Sequence, residues 1–97
     1  MPAYVIGQIT IHDNAEYEKY LAGVRDTFAP FDGRVLVAAD EVEVLEGPWP
    51  ATRTVVVVFP SMDHARRWYQ SPKYQTVVQH RFKAATSSIV LAEGFQS

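Results

Sequence analysis

The chain has 97 residues, no cysteine, and a formal net charge of −2 from nine basic and eleven acidic side chains. That length fits a single domain over residues 1–97 with a modest core, since a domain of this size buries only roughly 60–65% of the surface its unfolded chain exposes. The lack of cysteine excludes disulfides, thiolate metal ligands and cysteine nucleophiles. Lys and Arg are scattered without a basic stripe, so no nucleic-acid partner is expected. No apolar run approaches the ~20 residues that span a bilayer, so no membrane partner is expected either. Met1-Pro2-Ala3-Tyr4 leads straight into a strand-like stretch with no basic region, apolar segment or cleavage site ahead of it, and the expected location is cytoplasmic.

Ala3 to Ile11 carries β-branched and aromatic side chains on both parities, the pattern of a well-buried first strand. Asp13 is placed to cap a helix, with Glu16 closing a capping box, and Tyr17, Tyr20, Leu21, Val24 and Phe28 follow at helical spacing on one face. Pro30 ends that helix. Asp32-Gly33 supplies turn chemistry before a second strand at about Arg34 to Ala38, bent near Ala39-Asp40 and resumed over Glu41 to Glu46 as an acidic edge. Gly47-Pro48-Trp49-Pro50 is a loop. Arg53 to Phe59 is a third strand that is apolar at every position from Val55 to Phe59, which requires two dry faces. Ser61 caps a second helix, Ser71-Pro72 restarts helical structure with serine at the cap and proline at the first helical position, and Ser87 to Glu93 is the last strand.

This order, β-α-β-β-α-β, predicts an α+β ferredoxin-like domain with an antiparallel four-stranded sheet. Two helices cover one face of such a sheet, yet the third strand is apolar on both. A second copy of the sheet is the simplest cover, giving a homodimer in which a cavity forms where small or polar residues line the buried faces.

Tyr20, Gly33-Arg34, Leu45-Glu46-Gly47, the block Phe59-Pro60-Ser61 with Ala65 and Trp68-Tyr69, Ser71-Pro72, Tyr74, Arg81 and Glu93-Gly94 together resemble the family of domains of unknown function numbered 1330, over nearly the whole chain. The resemblance implies a dimeric α/β barrel with sheets packed face to face. Proteins of that fold include cofactor-free monooxygenases, muconolactone-type isomerases, haem peroxidases and ligand-sensing domains, so the fold fixes no function. The chain departs from the family at Val35-Leu36-Val37-Ala38-Ala39-Asp40, where relatives end the strand in Arg-Gly-Gly. If that arginine binds an anion, this chain lacks it and carries an acid nearby.

Arg81 falls on the apolar stripe that runs from Tyr74 through Val77, Val78 and Phe82 to Ala85. Two readings stand: a structural arginine, in an ion pair with a carboxylate such as Glu46 or Asp40 or snorkelling past its neighbours to water, or a guanidinium clamp for a carboxylate or enolate. Tyr17 and Tyr20 lie on the inward stripe of the first helix, as core aromatics or as hydrogen-bond donors to a substrate carbonyl. Trp68, Tyr69 and Tyr74 cluster at the helix break and either brace it or line a pocket. His12, His64 and His80 lack metal-ligand spacing, so no metal is expected. No Ser-His-Asp set, phosphate loop or dinucleotide fingerprint is present.

The leading expectation is a homodimer with an internal pocket for a small anionic or carbonyl-bearing metabolite. Arg81 and Tyr20 are its candidate catalytic residues, and Arg34, Trp68, Tyr69 and Tyr74 its candidate binding residues. The chemistry this inventory permits needs no cofactor: proton transfer, isomerisation or monooxygenase-like turnover with an arginine stabilising enolate charge. The alternative is a small-molecule-binding or stress-associated module without turnover.

Overall fold

The computed structural model describes residues 1–95. Its elements are β1 (Ala3–Ile11), α1 (Asn14–Val24), two short 3₁₀ turns (Arg25–Thr27 and Ala29–Phe31), β2 (Arg34–Ala39), β3 (Arg53–Phe59), α2 (Met62–Gln70), α3 (Pro72–Ala84) and β4 (Ala85–Glu93). The strands form one sheet in the order β2-β3-β1-β4, with every neighbouring pair antiparallel. The expected ferredoxin-like α+β arrangement is present, its second helix broken into α2 and α3.

Side-chain chemistry at the element ends explains these boundaries. Asp13 accepts from the Glu16 backbone N–H, and Ser61 accepts from that of His64. Ser71 stands at the α2–α3 junction, where its Oγ donates to the Trp68 carbonyl at 2.7 Å and accepts from the Tyr74 N–H at 3.3 Å. One serine thus ends α2 and starts α3, and Pro72 follows at a position where its missing N–H costs nothing. The expected capping box does not form. The Glu16 carboxylate turns instead to His80 Nδ1 at 2.6 Å and Lys19 Nζ at 3.2 Å, which ties α1 to α3. α1 also stops at Val24, and Phe28 reaches the core from the 3₁₀ turns that follow.

Residues of odd number in β1, β3 and β4 face the helices, among them Val5, Ile9, Val57 and Phe59, which are all buried. Gly33, at the entry to β2, allows close packing here: a Cβ on it would lie 2.6 Å from the Phe59 ring. The opposite sheet face carries Tyr4, Ile6, Val56, Val58 and Val90 and is not covered by any helix; Val90 is 57% exposed. The molecule is only 16 Å across in its thinnest direction, the depth of one sheet and one helix layer.

β2 carries a bulge at Leu36, where the register to β3 shifts between Val35 and Val37, and it ends at Ala39. The expected resumption of this strand over Glu41 to Glu46 is not observed. Those residues are exposed and have no neighbouring strand to pair with. The chain returns to the sheet where Trp49 Nε1 donates to Thr54 Oγ1 and the Thr52 N–H donates to the Ile9 carbonyl, both at 3.0 Å. Among the described residues, no helix is long and apolar enough to cross a membrane.

Candidate functional site

α1 packs principally on α3 and stands off the sheet, so a cleft of about 500 Å³ opens between the helix layer and the strands. Val5, Ile9, Val55, Val57 and Ile89 form its floor, while Tyr17, Tyr20, Leu21 and Val24 of α1 form its roof. Trp68 and Tyr74 also line it, and β2 contributes Val35 and Ala38. The cleft therefore lies on the helix-covered face, whereas the two-sided third strand pointed to a cavity between sheets. The sequence pattern located the apolar faces but not the gap left by a helix that leans on its neighbour.

Two phenols meet in this cleft: the Tyr20 and Tyr74 hydroxyls are 3.1 Å apart. Arg81, 3% exposed, approaches the Tyr74 oxygen from behind with Nη2 at a long 3.5 Å. Its guanidinium also lies 5.6 Å from the Tyr20 ring centroid and 5.4 Å from that of Phe82. No carboxylate pairs with Arg81 among the described residues, and its buried Nε has no hydrogen-bond partner. The suggested ion pair with Glu46 or Asp40 does not occur: Asp40 binds Arg53 at 2.7 Å, and Glu46 is exposed.

Protonation follows from this packing. Burial pushes the Tyr20 hydroxyl well up from its ordinary value, and the neighbouring Tyr74 adds to the effect. Burial raises Tyr17 as well, against an opposing pull from the Arg53 and Arg81 charges. For Arg81 burial works toward a lower value, but the Tyr74 and Tyr20 oxygens outweigh it and the net direction is upward. Both cleft tyrosines of α1 thus remain protonated donors at neutral pH and Arg81 remains a cation. Because Arg81 can only donate, a Tyr74 oxygen that accepts from it has its own proton free for Tyr20, and the Tyr20 proton is then free for a third group.

Trp68 stacks near Tyr74, with centroids 4.1 Å apart, and its Nε1 donates to Thr27 Oγ1 at 2.9 Å, so its ring is fixed at the cleft wall. Tyr69 packs on the same rings but faces a smaller neighbouring pocket with Val5, Ala65 and Leu91. Tyr20, Trp68, Tyr74 and Arg81 are therefore brought together, with Tyr69 at their edge. Arg34 is not: it is exposed on β2 opposite Val58, on the uncovered sheet face. The candidate site residue missed in the sequence is Arg53, which lines the cleft and lies 5.9 Å from the Tyr17 ring centroid. Its odd position in β3, shared with Val55, Val57 and Phe59, was the available signal. The described residues hold no cluster of three or more His, Asp or Glu side chains placed to bind a metal.

The model of the family described as Domain of unknown function (DUF1330) matches residues 2–95. The chain belongs to this family. No curated protein matches it in sequence. Among solved structures it is similar to a protein of unknown function from Rhodopseudomonas palustris, at 17% identity and TM-score 0.79 over 99% of this chain and 84% of that one. It is also similar to SnoaB, a cofactor-independent oxygenase from Streptomyces nogalater, at 20% identity and TM-score 0.69 over 99% and 95% of the two chains. A dimeric ferredoxin-like protein of unknown function from Jannaschia sp. CCS1 matches at 9% identity and TM-score 0.73 over 97% and 100%. At these identities the likeness establishes the fold that the DUF1330 chain shares with them, and nothing of its chemistry.

Proposed function

We propose that this DUF1330 protein binds a small, largely apolar organic molecule bearing a carbonyl or acidic oxygen in the cleft between α1 and the sheet, and stabilises negative charge on that oxygen. The observation that carries this reading is the meeting of the Tyr20 and Tyr74 hydroxyls in the lining of a largely apolar cleft, with Arg81 set behind the lining against the Tyr74 oxygen and no carboxylate to neutralise it. With no carboxylate partner, the Arg81 charge is passed through the Tyr74 hydroxyl toward an anionic oxygen at Tyr20. The apolar floor supplies affinity for the body of the ligand, and the Tyr20 hydroxyl supplies direction.

Turnover of the isomerase kind, or of the monooxygenase-like kind with dioxygen as co-substrate, fits this inventory without a cofactor. Tyr20, held protonated, donates to the carbonyl oxygen, and Arg81 through Tyr74 supports the enolate that forms when water at the cleft mouth takes the proton of the adjacent carbon. Asp26 is the one carboxylate lining the cleft, and it is exposed. The site therefore stabilises an anion better than it generates one, which favours substrates that are acidic themselves. The description of SnoaB as a cofactor-independent oxygenase is consistent with such chemistry. Ligand binding without turnover uses the same contacts, and a search for product separates the two.

The protein acts as a homodimer in this reading, with the face of Tyr4, Ile6, Val56, Val58 and Val90 against its counterpart. Apolar residues on a sheet face without helices support this, as does the description of the Jannaschia protein as dimeric.

Calorimetric titration with 1-naphthamide, a neutral aromatic carbonyl probe, tests the cleft. Tyr20→Phe and Tyr74→Phe are each expected to weaken binding about three- to tenfold, the effect of one hydrogen bond. Equal affinity in the parent and both variants would overturn the assignment.

A further inference from the structure

We infer that Arg53 is a second anion-binding point of the cleft, and that Asp40 occupies it only until a ligand carboxylate takes its place. This rests on the cleft being the ligand site and adds the class of ligand, an apolar molecule with a carboxylate. Arg53 lines the cleft, while Asp40, its partner, is not among the lining residues and its side chain is 75% exposed. Their contact is a single one, Nη1 to Oδ1 at 2.7 Å. The Nε edge, which grips a carboxylate side-on, is unused, and Nε itself is buried without a hydrogen-bond partner.

A bidentate grip on Asp40 would use two donors. Here one donor points to a solvated acid at the end of β2, and the rest of the guanidinium lies inward beside the Tyr17 ring. Exchange is favourable because the two carboxylates differ in surroundings. An ion pair with an exposed acid is screened by water and contributes little, whereas a carboxylate carried in on an apolar body meets the same guanidinium away from water. Release of Asp40 frees the side chain to turn its Nε edge toward the ligand. Arg53 and the Tyr20–Tyr74 pair then hold a ligand at two places, the first reading a carboxylate and the second a carbonyl or hydroxyl oxygen.

The test compares 1-naphthoate with 1-naphthamide on the full chain by calorimetry, in the parent, Asp40→Asn and Arg53→Gln. Asp40→Asn alters an exposed side chain and removes the competitor, so naphthoate is expected to bind several-fold tighter and naphthamide as before. Arg53→Gln is expected to weaken naphthoate about tenfold or more and to change naphthamide little. Naphthoate affinity that is unmoved or lowered by Asp40→Asn overturns the exchange, including when Arg53→Gln does not fold. Naphthamide binding that still depends on Tyr20 and Tyr74 would leave the cleft assignment intact in that event. Failure of both probes to bind would overturn the two together.

Discussion

Replacing Arg81 by methionine separates a binding arginine from a structural one. The side chain is 3% exposed, and burying its charge costs several kcal/mol even after relaxation. Against this stand two ring contacts, with Tyr20 at 5.6 Å and Phe82 at 5.4 Å, each contributing about 0.5–2 kcal/mol. The 3.5 Å approach to Tyr74 adds under about 1 kcal/mol, as expected of a bond so long. These terms nearly cancel, and no carboxylate is left stranded when the guanidinium is removed. Methionine fills similar volume, and Tyr74 keeps its bond to Tyr20. Arg81→Met is therefore expected to lie within about 1 kcal/mol of the parent or above it, while 1-naphthamide binding, which depends on the Tyr74 hydroxyl that Arg81 backs, falls about threefold. Scanning calorimetry reads the first quantity and titration the second. An arginine in a buried ion pair would instead lose about 3–5 kcal/mol, which at about 4–8 °C per kcal/mol is a fall in Tm of about 12 °C or more. A fall of that size with naphthamide affinity intact would refute a role for Arg81 in binding.

Gly33→Ala places a methyl group 2.6 Å from the Phe59 ring and is expected to destabilise the fold by about 1–3 kcal/mol in urea titration; an unchanged midpoint would show that the ring yields freely. Hydrogen bonds from His80 and then Lys19 hold the Glu16 carboxyl below its ordinary value of 4.5, so stability present above that value is lost as pH falls through the depressed one. Glu16→Gln should flatten this acid limb in pH-dependent unfolding, and an unaltered limb would place its origin elsewhere. At the alkaline end the sign reverses: the raised Tyr17 and Tyr20 give stability that is complete below 10 and declines above it, so tyrosinate absorbance should show both ionising only as the protein unfolds. Val90→Glu, on the uncovered sheet face, is expected to turn a dimer into a folded monomer by sedimentation equilibrium; a monomeric parent at micromolar concentration would contradict the dimer.

Much of the fold was legible because it is encoded locally. Asp13, Ser61 and Ser71-Pro72 mark helix starts with side chains that bond the next turn, and Val55 to Phe59 needs no context to be a strand. What depended on partners was misread. Glu16 fits a capping box by spacing, but an imidazole from a helix 64 positions away competes for its carboxylate. Glu41 to Glu46 alternates like a strand, yet a strand needs a neighbour and the single chain offers none. The same limit applies at the site. Helical periodicity placed Tyr20 and Arg81 on inward faces, and the structure joins them through Tyr74, a contact that periodicity did not announce. Arg34 follows a turn and points to the other sheet face, and Arg53 was concealed by the apolar run that it begins. The cleft itself arises from how α1 leans on α3, a packing geometry that no local pattern specifies.

The most direct measurement is a chemical-shift map of the protein during titration with 1-naphthamide. If the cleft is the binding site, the perturbed resonances are those of Tyr17, Tyr20, Val55, Trp68, Tyr74 and Ile89. Shifts confined to Tyr4, Ile6, Val56 and Val90, on the opposite sheet face, would contradict it.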